Sequence, residues 1–192
     1  ITKMKEKLLL VGAGGFGRIV MEYAIEQQYD VAFVDDGYDV GEEVCRTKII
    51  GHIEDLPTLF HDYKNLIVAI GSNKFRESVY KKAKEIGYDF PNIICKSVYI
   101  SPFAKIGKGC VFLNNVCVQN GASVGNGVLL NSGVEIHHDG IIEDYVLIYA
   151  NSVVRAMAHV EKRVKIGSTC TISNEVVIEP DQIIEDGNTV TK

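Results

Sequence analysis

The chain has no basic tract, no apolar run of membrane-spanning length and no CxxC pair. Each absence closes a class of function. With a formal charge of −5 over 192 residues, the protein has the wrong sign for a dedicated nucleic-acid binder, whose phosphate contacts need clustered Lys and Arg. The run Lys7 to Val11 is too short for a signal-peptide core, and no later stretch approaches the ~18 apolar residues of a membrane span. The five cysteines are odd in number and unpaired in spacing, which points to buried thiols rather than disulfides or metal ligands. The expectation is a soluble cytoplasmic protein with neither a nucleic-acid nor a membrane partner. Ile1 to Lys3 precede Met4 and read either as a remnant ahead of the natural start or as native sequence.

What is present is periodicity. Every sixth residue from Ile100 to Val190 is a large aliphatic or Phe, without a slip, in a chain that is 46% hydrophobic. A period of six fits neither the 3.6-residue helix nor a free-standing strand of period two. It fits a hexapeptide β-helix, in which each six-residue unit makes one face of a triangular prism and 18 residues complete a coil. The position two residues before each aliphatic agrees, with Ala104, Cys110, Ala122, Gly140, Ser152, Ala158 and Cys170 among many Val. About five coils at about 4.8 Å spacing give a prism roughly 25 Å tall.

The first half carries a different pattern. Lys7 to Val11 reads as a buried strand, Gly12-Ala13-Gly14-Gly15-Phe16-Gly17 as a tight loop, Arg18 to Gln28 as a helix, and Val31 to Val34 as a second strand ending in Asp35-Asp36. Gly12, Gly14 and Gly17 have GxGxxG spacing with an acid about 20 residues on, the arrangement that offers helix N-terminal amides to a phosphate. A further strand, Leu66 to Ile70, precedes Gly71-Ser72-Asn73 and a helix from Lys74 to Ile86. Fewer than about 100 residues hold one mononucleotide half, not a full dinucleotide fold. The fold class expected is therefore an α/β Rossmann-like βαβ domain (1–96) followed by a parallel β-helix (97–192). The glycines either bind phosphate or ribose or serve strand-to-helix packing alone.

This combination resembles the bacterial sialic acid O-acetyltransferases and nucleotide-amino-sugar N-acetyltransferases of the hexapeptide-repeat family. The matching residues are the GAGGFG loop, Asp35-Asp36, the segment Ala69 to Asn73 with Arg76, and His138-Asp139-Gly140-Ile141-Ile142-Glu143-Asp144-Tyr145. The resemblance implies a left-handed coil, acetyl-CoA as cosubstrate with no metal, a nucleotide-sugar or sialic-acid-type substrate, and a homotrimer. It assigns His138 as catalytic base, Asp139 as its partner and the Ala156 backbone amide as oxyanion donor. The substrate's nucleotide would be held by Gly12, Gly14, Gly15, Phe16, Gly17, Asp35, Asp36, Gly71, Asn73 and Arg76. Phe16 departs from the His that is common in the family, so phosphate contact there must come from backbone amides. The chain also ends at Lys192 without the Gly-x-Pro-Ala-Lys-like close of the cofactor site.

Spacing supports parts of this scheme. His138 falls two residues after inward Ile136, at a corner where its side chain projects outward, and imidazole can take a proton near neutral pH. Ala156 lies 18 residues on, one coil away, and its amide faces the same corner. Arg155, Gly167 and Ser168 are expected near that corner as acetyl-CoA contacts, with Arg155 alternatively an ordinary exposed charge. His137 is the alternative base. His137, His138 and His159 give no three-histidine zinc pattern. One outward face reads Val111, Leu129, Leu147, Lys165, Ile183, a stripe expected to be exposed and to meet a second subunit or the first domain. The functional expectation is acetyl transfer by direct attack on acetyl-CoA. The alternative is a non-catalytic nucleotide-sugar-binding protein.

Overall fold

The computed structural model describes residues 5–192, so Ile1 to Lys3 lie outside the described residues. The chain divides into two compact units, 1–93 and 94–192, three residues ahead of the expected boundary. Among the described residues no helix is long and apolar enough to cross a membrane.

The first unit runs β1 (Lys7–Val11), α1 (Gly15–Glu26), β2 (Asp30–Val34), β3 (Glu43–Val44), β4 (Thr47–Gly51), a 3-10 turn (Ile53–Asp55), α2 (Leu56–Leu59), β5 (Asn65–Val68) and α3 (Asn73–Ile86). The sheet order is β3-β4-β2-β1-β5, parallel except for β3. Leu8, Leu9, Leu10 and Val11 are fully buried, as an unbroken apolar run in a central parallel strand demands. Helix α1 begins at Gly15, not Arg18: its first turn is built from glycines that carry no apolar period. The β3–β4 hairpin escapes a sequence reading because its turn, Cys45-Arg46, takes positive φ (50 and 64) without a glycine.

The second unit is a left-handed parallel β-helix of two-residue strands, collected in three parallel sheets of six, five and six strands. Each strand pairs with the one 18 residues away, as in Val118↔Ile136↔Val154. Val118, Val124, Leu130, Ile136 and their successors fill the core, where Cys110 and Cys170 also sit. Both thiols donate to carbonyls of neighbouring coils, Gly125 at 3.1 Å and Glu185 at 3.0 Å. The repeat starts one hexad earlier than the pattern indicates, since Ile94 packs against the same core. Asn92, in place of a small apolar residue two positions before it, hides that hexad.

The third residue after each inward aliphatic takes a left-handed φ at every corner from Gly109 to Gly187. Nine of those residues, Asp139 among them, are not glycine. The proposed apolar stripe is corrected by burial: Val111 and Leu129 are 0% exposed and Leu147 3% within the single chain, so they do not form an open face. Ile183, at the end of the stripe, is 63% exposed; other exposed apolar residues of the prism include Ile141 and Val177 on another face and Phe103 and Met157 on the corner leading to it.

Candidate active site

At the end of β1 the chain turns through a glycine loop whose shape is set by close contacts. A Cβ on Gly17 would overlap the Gly12 carbonyl, and Gly12 itself has φ +105 against the Ala69 carbonyl; neither position admits a side chain. Gly14 and Gly15 are exposed; Gly14 borders open space and Gly15 lies beside the Arg18 guanidinium. Helix α1 has no side-chain cap, and the amides of Gly14, Gly15 and Phe16 have no partner among the described residues. Unpaired amides at a helix N-terminus form an anion cradle. Phe16 is half-buried at this turn.

The acids after β2 serve the cradle's shape. Asp35 accepts the Ala13 N–H at 2.7 Å and the Gly37 N–H at 2.8 Å, while Asp36 accepts the Ile53 N–H at 2.8 Å. Both oxygens of Asp35 are thus engaged within the protein. Arg76, expected to touch substrate, is 0% exposed. Its guanidinium donates to the Ile70 carbonyl at 2.8 Å and to Asn73 Oδ1 at 2.9 Å, so it shapes the Ile70–Asn73 turn from beneath. Gly71 and Ser72 face outward there, and Ser72 caps α3. Sequence spacing does not distinguish a buried arginine from a surface one on an amphipathic helix.

In the second unit, His138 and Asp139 form the turn after strand Glu135–Ile136. His138 Nδ1 lies 2.9 Å from Asp139 Oδ2. A carboxylate can only accept, so Nδ1 carries the proton, and in the neutral imidazole Nε2 then keeps its lone pair. The imidazole is half-exposed, at 54%. His137 differs: its Nε2 is engaged by Glu135 Oε2 at 3.1 Å and it is more buried. Gln119, which the motif reading missed, accepts the His138 N–H through Oε1 at 3.1 Å. It lies 19 residues earlier, and the 18-residue coil rule was the signal that could have found it.

The strand register Ile136↔Val154 stacks Ala156 over His138, and the Met157 N–H donates to the His138 carbonyl at 3.2 Å. On this corner the His138 amide is taken by Gln119, whereas those of Asn120, Ala156 and Asn174 have no partner among the described residues. Arg155 is exposed on the same corner. Gly167 and Ser168 are not: they follow strand Lys165–Ile166, which belongs to a different sheet from Glu135–Ile136, and so occupy another corner. The reason is arithmetic, because Ile166 lies 30 residues after Ile136 and 30 is not a multiple of 18. There Gly167 is packed beneath Asp186, which also accepts the Ser168 N–H at 2.7 Å.

Two further groups bear on the chemistry. Cys117 pairs with Glu135 across the coil; burial, with Glu135 adding to it, pushes its thiol pKa up, which keeps it a poor nucleophile. Glu143, His159 and Glu161 bring donor atoms within 4.8 Å of one another. Two of them are already engaged: His159 Nε2 pairs with Glu143 Oε1 at 2.7 Å, and Glu143 Oε2 accepts the Lys162 N–H at 3.0 Å.

Comparison with known proteins places this geometry. Residues 7–83 match the PglD N-terminal domain family. The acetyltransferase domain of PglB from Neisseria gonorrhoeae, solved with acetyl coenzyme A, superposes with a TM-score of 0.71 at 29% identity, covering 96% of this chain and 95% of that one. The first unit thus carries a PglD N-terminal domain, and the chain as a whole is similar to hexapeptide-repeat sugar acetyltransferases. GDP-perosamine N-acetyltransferase from Caulobacter crescentus, solved with CoA and GDP-perosamine, shares the fold with a TM-score of 0.65 at 22% identity over 95% of this chain and 92% of that one. The bifunctional protein GlmU of Wigglesworthia glossinidia brevipalpis is 34% identical over 99 residues, 52% of this chain. The chain spans about a fifth of the length of the curated relatives it matches, 21% and 18%.

Proposed function

We propose that the protein transfers the acetyl group of acetyl-CoA to an amino group of a nucleotide-linked sugar, in the cytoplasm. The observation that carries this reading is the His138–Asp139 pair on a prism corner with the unpaired Ala156 amide one coil on, in a chain similar end to end to an acetyltransferase domain that binds acetyl-CoA. Asp139 holds Nδ1–H, so Nε2 takes the proton of the attacking amine as the nitrogen bonds to the thioester carbon. The carbonyl oxygen becomes an oxyanion opposite the Ala156 N–H. Collapse breaks the C–S bond, and the imidazolium returns its proton to the leaving thiolate of CoA. No acyl-enzyme forms, in keeping with the raised pKa of Cys117.

The amides of Gly14, Gly15 and Phe16 hold the substrate's phosphate, and Asp35 and Asp36 keep that loop in shape. Arg155 contributes a cation to acetyl-CoA, whose phosphates it can pair. Ile141 and Val177, with Met157 and Phe103, supply the apolar surface by which copies close a homotrimer. Acetyl-CoA consumption against a panel of UDP- and GDP-linked amino sugars and CMP-sialic acid tests the reading. Turnover with at least one amino-sugar nucleotide is expected; turnover with none, alongside tight nucleotide-sugar binding, would favour a non-catalytic binding protein.

A further inference from the structure

We infer that Gly121 is a positioning residue for the His138–Asp139 pair and that it acts by having no side chain. The inference rests on His138 as the base. The prism lays Gln119, Asn120 and Gly121 one coil beneath His137, His138 and Asp139. Gln119 Oε1 accepts the His138 N–H at 3.1 Å, and the Asn120 carbonyl accepts the Asp139 N–H at 3.0 Å. Those two bonds fix the backbone of the pair. The carboxylate is fixed differently: a Cβ on Gly121 would overlap Asp139 Oδ1, so that oxygen rests where a side chain would begin while Oδ2 receives Nδ1–H of His138.

Backbone conformation alone does not call for this glycine. Gly121 has φ +71, but the equivalent corner position is Met157, Arg163, Thr169 and Glu175 in later hexads, all at positive φ. What excludes a side chain at Gly121 is the carboxylate above it. Gly133 has the same conformation, φ +70, and the same overlap with Asn151 Oδ1, at a corner that carries no histidine. It is a matched control, since Gly121→Ala and Gly133→Ala impose the same backbone strain and the same displaced oxygen.

The experiment compares Gly121→Ala, Gly133→Ala, Asp139→Ala and the Gly121→Ala/Asp139→Ala double variant. Imidazole 15N shifts of His138 report which ring nitrogen carries the proton, independently of turnover. Gly121→Ala is expected to lose the Nδ1–H tautomer, with kcat falling about 10- to 100-fold as the base loses its orientation and the KM for acetyl-CoA unchanged. Gly133→Ala should lose a similar amount of melting temperature yet keep both tautomer and kcat. In the Asp139→Ala background, Gly121→Ala should lower kcat no further, because the two changes act through one contact. A folded Gly121→Ala that keeps the Nδ1–H tautomer, or rate losses that simply multiply, would overturn the inference. Should Gly121→Ala not fold, folding of the double variant supports the overlap, and retention of the Nδ1–H tautomer in Asp139→Ala overturns it. Full activity of His138→Ala would end the reading of His138 as base, whereas the tautomer measurement would still decide the role of Gly121.

Discussion

At the residue scale, buried polar groups in this protein act on backbone, and their removal has effects away from the atoms removed. Asp35 joins two loops through the Ala13 and Gly37 amides. Asp35→Ala should therefore loosen the glycine cradle, weakening nucleotide-sugar binding measured by calorimetry while leaving acetyl-CoA binding intact. Equal losses for both ligands would contradict that division. Tyr88 is buried, donates to the Leu56 carbonyl at 2.7 Å, and has a pKa pushed up to about 12 by burial. Because the folded value lies above the unfolded one near 10, its contribution is complete below about pH 10 and is lost as pH rises from there through about 12. Alkaline unfolding of Tyr88→Phe, followed by circular dichroism, should lack that step. Of these roles the sequence discloses little: Asp35 and Arg76 stand in motif positions, and only their hydrogen bonds reveal that one is pinned and the other enclosed.

At the element scale, the prism is the most legible part of the chain, since a period of six can be satisfied by few structures and each inward residue repeats the same burial. Ile166 is fully buried and Lys165 beside it points outward. Ile166→Asp should cost several kcal/mol by burying an unpaired carboxylate; Lys165→Asp should cost about 1 kcal/mol or less. Thermal unfolding that ranks the two equally would refute the inward assignment. The same 18-residue rule locates Ala156 above His138 and would have located Gln119 beneath its neighbour His137. It also shows why Gly167 and Ser168 are on another corner. The first unit was less legible because its signals are glycines and short elements: α1 starts inside the glycine loop, and the Cys45-Arg46 turn carries no residue that favours its conformation.

At the scale of the whole molecule, burial separates surfaces that composition makes alike. Leu147 is apolar and outward by register but closed off within the chain, whereas Ile141 is 41% exposed. Leu147→Glu should unfold the protein, since desolvating a carboxylate is costly. Ile141→Glu should leave it folded and shift the proposed trimer toward monomer in light scattering; a parent protein that is monomeric at micromolar concentration would remove that interface. The central claim is that the His138 corner performs acetyl transfer, and the most direct test is the rate of acetyl-CoA consumption by His138→Ala and His137→Ala beside the parent. A general base contributes about 10²- to 10⁴-fold, so His138→Ala should lose that much while keeping fold and acetyl-CoA affinity, and His137→Ala should stay within a few-fold of the parent. Full activity in His138→Ala would contradict the account.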